Sequence, residues 1–278
     1  MTKEKKAKIH WSKTSLMHAW KLVFRSALFL VALGLYIYDK IGGNFDFLSN
    51  QMLTTIAFII IFTIYLVEMI LRFIPNSIES MGCQKIFKKN YQEVSTDSVD
   101  YIEPRRLGVF LVLASWIVLN LTFGILYWTH IFDEGILVLI SLLYGICDMI
   151  CILFFCPFQT WMMKNKCCNT CRIYNWDFAM MFTPLLFIPH WLTLSLAGVS
   201  ILLLINWEII YFKHKERFYE VSNASLQCAN CKEKLCTHKK QLQSLLTQLR
   251  SEVNKRSQSE ISRLQSFKSK LLKKKNKD

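Results

Sequence analysis

Two cysteine turns set the terms for this chain: Cys167-Cys168-Asn169-Thr170-Cys171, and Cys228-Ala229-Asn230-Cys231 followed by Cys236 and His238. Each holds a C-x-x-C spacing, which lets two thiolates meet one tetrahedral ion. Most of residues 172–227 between them are apolar. If the two turns share an ion, the chain must leave the first, cross a bilayer and return on the same side. An even number of membrane crossings between them follows.

Composition agrees with a membrane setting. The chain is 53 % hydrophobic, with 20 Phe and 8 Trp among 278 residues and a mean hydropathy of +0.26. The apolar residues are spread too evenly for one soluble domain, so the expected class is an all-α integral membrane protein. Its net charge of +14 is concentrated at the end of the chain, where residues 213–278 carry 17 Lys and Arg against 6 Asp and Glu. Beside a membrane such a tail favours anionic lipid headgroups as partners; nucleic acid is the weaker expectation. All ten cysteines fall in segments expected inside the cell or the membrane, where dense Cys pairs serve metals or redox chemistry more often than disulfides.

Charge places the segments in order. Residues 1–20 are basic and read as a cytosolic N-terminus; no small-residue cleavage site follows, so the first apolar run is expected to be retained. Six spans are expected, at about 21–38, 54–74, 107–128, 136–155, 176–189 and 191–212, with both termini cytosolic and a Cys loop at 156–175. The fifth is short. From Phe178 to Phe212 there is no Lys or Arg, too long a stretch for one span and rather short for two. Its first leg covers only about 20 Å of a roughly 30 Å core, so it must start earlier, be re-entrant or thin the bilayer, and Pro184 and Pro189 favour a broken helix. Residues 213–238 form a cytosolic Cys/His knuckle and residues 239–278 a basic amphipathic helix, whose two clean heptads allow a homodimer.

The metal expectation rests on Cys168, Cys171, Cys228 and Cys231, with Cys236, His238 and Cys167 as alternates. The turns resemble zinc-ribbon knuckles, a likeness of about a dozen residues that implies metal and no activity. Zinc is the expected cofactor; an iron-sulfur cluster is the alternative, because C-C-x-x-C with further thiols also suits clusters. Asn169 and Asn230 lie inside the turns, where a left-handed conformation is tolerated by Asn.

Ionisable groups at membrane depth are the other candidates. Arg25 and Glu68 fall about 7–9 Å from the same surface and can pair. Asp148 lies deeper, about 12 Å in, with Cys147 and Cys151 on its face of the helix. Together with Asn120 and Glu208 these outline an intramembrane polar pocket. No phosphate-cradling Gly-rich loop, G-x-S-x-G elbow or H-E-x-x-H is present, so classical NTPase, serine-hydrolase and zincin chemistry is unsupported. The leading expectation is a multi-pass cell-membrane protein, transporter-like or regulatory and not an enzyme, whose zinc site ties the tail to the bundle. A membrane redox protein using a cluster or dithiols is the alternative, and an enzyme acting on lipid headgroups the third.

Overall fold

The computed structural model describes residues 12–42, 51–94, 106–165 and 167–231, with Glu233, Cys236 and isolated positions between 244 and 258. Among the described residues the regular structure is helical, and β pairing is limited to an isolated bridge between Glu93 and Asn223. The α-helices are α1 (Lys13–Lys40), α2 (Gln51–Phe73), α3 (Met81–Gln84), α4 (Arg106–Trp128), α5 (Glu134–Leu153), α6 (Asp177–Phe182) and α7 (Trp191–Lys213). Four of them, α1, α4 from Leu107, α5 and α7, are long and apolar enough to cross a membrane. At 23 residues α2 equals α4 in length.

Local chemistry places the ends. Ser12 caps α1 by accepting from the Ser15 amide, so the helix begins well before the expected Lys21. Asp133 caps α5 by accepting from the Ile136 amide, and also takes the Tyr36 hydroxyl at 3.0 Å and the Lys40 ammonium at 2.7 Å. Because Tyr36 meets Asp133 while Arg25 meets Asp148, α1 and α5 run antiparallel.

The expected fifth span is a broken helix. Residues 177–187 form α6 followed directly by a 3₁₀ turn over Thr183–Phe187, together rising about 19 Å. Pro184, with no amide hydrogen, sits at the break. The segment is buried at Phe178, Ala179, Met181, Phe182 and Leu185, between α5 and α7 and with α4 against its 3₁₀ turn. Such a break is tolerated where protein, and not lipid, surrounds the backbone. Ser141 of α5 donates to the Met181 carbonyl at 2.7 Å. At Gly124 a Cβ would lie 2.5 Å from the Phe187 ring, so glycine is what lets α4 approach this closely.

The surface is inverted relative to a soluble domain. Leu30, Val118 and Leu202 are exposed, while Ser15, His18, Arg25, Asn120 and Ser200 are buried. Two apolar clusters fill the interior. One gathers Tyr65, Met69, Phe178, Phe182 and Leu203 around α6; the other gathers Cys83, Tyr174, Trp207, Tyr211 and Phe218 under the loops that close one end.

Those loops form a cap. Arg217 donates to the Ile86 carbonyl at 2.7 Å, the Ala224 amide to Gln92 at 2.8 Å and the Ser225 hydroxyl to Asn90 at 2.7 Å, so residues 214–226 lie on residues 86–92. The described positions from Ser244 to Gln258 are helical. His238 lies outside the described residues.

Candidate functional site

Seven charged side chains make one continuous chain of alternating sign. Asp148 Oδ2 is 3.2 Å from Arg25 Nη1, and Arg25 Nη2 is 3.1 Å from Glu68 Oε2. Lys21 Nζ joins Glu68 at 3.5 Å to Glu79 at 3.2 Å. Arg72 closes the series, with Nε 3.8 Å from Glu79 and Nη1 2.6 Å from Asp177 Oδ1. The groups come from α5, α1, α2, the loop after α2 and α6. Four carboxylates face three cations. Arg25 spends its remaining reach on the Gly145 carbonyl at 3.0 Å, and the Phe178 ring lies between Arg25 at 5.9 Å and Arg72 at 4.4 Å. His18, buried beside the array, has neither ring nitrogen bonded to a described residue.

Of the pocket expected from sequence, Arg25, Glu68 and Asp148 are brought together. Glu208 and Asn120 are not. Glu208 receives both Arg172 Nη1 at 2.8 Å and Arg172 Nη2, with the Trp176 indole at 2.8 Å, while the Arg172 guanidinium stacks 3.5 Å from the Tyr211 ring. Asn120 turns back on its own helix, donating to the Trp116 carbonyl at 2.9 Å. Arg72 and Asp177 sit at helix ends, Glu79 and Arg172 in loops, and Lys21 at the edge of the first span expected from sequence. Read one at a time they look like solvated surface charge, which is why the sequence alone passes over them.

Asp148 and Asp177 also reach a cavity of about 270 Å³ between α4 and α5, whose walls include Trp116, Tyr144 and Met181. Five thiols line it: Cys147, Cys151, Cys156, Cys168 and Cys171. Cys151 and Cys156 share a hydrogen bond.

The cap orders the thiol turns differently from a shared ribbon. Both C-x-x-C segments are turns, with the Cys171 amide 2.9 Å from the Cys168 carbonyl and the Cys231 amide 3.4 Å from that of Cys228. Buried Lys85 donates to the carbonyls of Asn169 at 2.9 Å and Cys171 at 2.8 Å. The Cys168 and Cys171 thiols line the cavity instead of facing Cys228, which is exposed. It is Cys236 that meets the first turn, its Sγ 3.4 Å from Cys167 Sγ, with Cys231 Sγ 3.9 Å from Asn169 Nδ2. Among the described residues no three His, Cys, Asp or Glu side chains come together to hold a metal ion, so the set Cys168, Cys171, Cys228 and Cys231 does not close on one point.

The thiols differ in reactivity. Burial pushes Cys83 up to about 12 and Cys171 up to about 11, the latter against the opposing pull of Lys85; both are thiols at neutral pH. The hydrogen bond between Cys167 and Cys236 lowers the Cys236 thiol and raises Cys167, so the first proton leaves Cys236. Burial also brings Lys85 down to about 7 and holds Glu233 above the usual carboxylate range, where its carboxyl accepts from the Met81 amide at the start of α3. No family model, curated protein or solved structure matches this chain.

Proposed function

We propose that this chain is a multi-pass, transporter-like membrane protein with its cap and both termini in the cytosol, and that it is not an enzyme. The observation that carries the reading is the alternating series from Asp148 through Arg25 and Glu68 to Asp177. Buried charges at this depth are costly unless paired, and a chain of pairs drawn from separate helices can exchange partners when the helices move. Broken α6, packed on α5 and α7, is the segment at which such a movement would be accommodated. The basic residues 213–278 would rest against anionic headgroups.

Purified protein in liposomes on a solid-supported membrane, given concentration jumps of protons, metal ions and organic cations, should answer at least one with a transient current. That current should vanish in Asp148→Asn, while a substitution on the exposed flank such as Leu202→Ala should leave it. Electrical silence with every solute would end the transport reading and leave a regulatory one.

A structural zinc ion belongs to the same proposal. Cys167 and Cys236 lie within contact although 69 residues apart in the chain, the start of a ligand set. Elemental analysis should find about one zinc per chain, lost in Cys236→Ser along with protease resistance of the tail. Unchanged zinc in that variant would exclude this set.

The five thiols around one cavity favour a second reading, a membrane redox protein. In it Cys151 and Cys156 would form one disulfide, passing two electrons and two protons to a lipid-soluble quinone that becomes the quinol. Free thiols at both positions after incubation with a short-chain quinone would end it.

A further inference from the structure

We propose that the cavity between α4 and α5 binds a lipophilic organic cation, an amine or onium head on an apolar body, taken up from the bilayer. This deepens the transporter-like reading by naming the solute class, and it rests on that reading for its purpose but not for its geometry.

The charge of the wall is one-sided. Asp148 and Asp177 reach the cavity, and among the described residues no Lys, Arg or His lines it. Each carboxylate spends one oxygen on an arginine behind the wall: Asp148 Oδ2 on Arg25 and Asp177 Oδ1 on Arg72. The second oxygen of each carboxylate, Asp148 Oδ1 and Asp177 Oδ2, is not used in these two pairs. Because the whole array, these two wall carboxylates included, holds four carboxylates against three cations, an incoming positive charge completes it and an incoming anion meets net repulsion.

The rest of the wall selects for an apolar, polarisable body. Trp116, Tyr144 and Tyr174 present aromatic surface, on which an onium head gains cation–π attraction, and Met162, Met180 and Met181 supply adaptable thioether contacts. A hydrated metal ion would find the thiols and carboxylates of the wall unconverged, since no three of the described candidate ligands come together. An organic cation needs no such convergence.

The entrance is on the flank. Leu119 and Cys147, both in the wall, are exposed, and beside them Val118, Leu143 and Ile150 present an apolar outer surface. A ligand already dissolved in the bilayer therefore reaches the carboxylates without crossing water. The 3₁₀ turn after α6 packs against both α4 and α5, and α6 itself against α5, which holds the two helices apart.

The test is equilibrium binding of radiolabelled tetraphenylphosphonium to the full chain in lipid nanodiscs, with tetraphenylborate, of the same shape and opposite charge, as competitor. Saturable binding that tetraphenylborate does not displace is expected, weakened tenfold or more in Asp148→Asn. Ser115→Phe, which fills the cavity and keeps every charge, should also weaken binding tenfold or more, and decides the matter if Asp148→Asn does not fold. Absence of saturable binding, displacement by the borate at equal strength, or unchanged affinity in Ser115→Phe overturns the proposal. Tetraphenylphosphonium that binds but gives no current on the supported membrane keeps the site and ends the transport reading. Currents with other solutes and no phosphonium binding do the reverse.

Discussion

Arg25 on α1 lies 3.2 Å from Asp148 on α5 although 123 residues separate them, and the same guanidinium reaches Glu68 on α2. Three helices are thus fastened at one buried charge. Removing it leaves two carboxylates in a low-dielectric interior without their partner, which costs more than the pair is worth intact.

Arg25→Leu should therefore lower the unfolding free energy by about 3–5 kcal/mol, read as a large drop in the melting temperature in detergent. Adding Glu68→Gln and Asp148→Asn should recover part of the loss, because the stranded charges go with the arginine. A single variant as stable as the parent would mean the array holds nothing together.

Glu79 gives the array a pH signature. Burial pushes its carboxyl up, but Arg72 and Lys21 outweigh burial and hold it below its ordinary value of 4.5. Its stabilisation is therefore complete above pH 4.5 and is lost as the pH falls through the lower folded value. Melting temperatures of the parent and Glu79→Gln, measured from pH 7 downward, should differ at neutral pH and converge in acid. A gap that stays constant down to pH 3 would contradict the assignment.

Arg172 should not accept lysine. It makes two hydrogen bonds to Glu208 and stacks on Tyr211, and an ammonium reproduces neither the fork nor the planar stack. Arg172→Lys is expected to cost about 1.5–3 kcal/mol by thermal unfolding. It should also loosen the cap, seen as faster proteolysis between residues 214 and 231.

Two glycines should respond oppositely to alanine. At Gly108 a Cβ would stand 2.5 Å from the Met162 carbonyl oxygen, a backbone atom that cannot step aside, so Gly108→Ala should destabilise by about 1–3 kcal/mol. Gly34 on α1 has nothing within 4 Å, and Gly34→Ala should stabilise by up to about 1 kcal/mol through helix propensity. Equal melting temperatures for the two variants would show that α4 does not rest on residues 158–163.

The long helices could be read directly because their cause is local. Unbroken apolar runs, and Pro184 within the short segment, act on neighbours in the chain, and the long helices fall within a few residues of the expected spans except where Ser12 extends α1. The pairing of Arg25 with Glu68 could also be anticipated, since depth in two antiparallel helices is a matter of counting residues.

What the tertiary structure alone decided is which side chains face one another around each helix and how the loops fold back. Rotation about the axis put Asp148 and Asp177 in one cavity wall and turned Glu208 away to Arg172. Lys85, on a loop and fully buried, drew the Asn169 and Cys171 carbonyls toward itself, so the neighbouring thiols line the cavity and Cys236 meets Cys167. Spacing along the chain carries the period of a helix and the reach of a turn. Contacts such as these, made across 36 to 86 residues of chain, by contrast depend on shape and on where a charge can escape water at least cost.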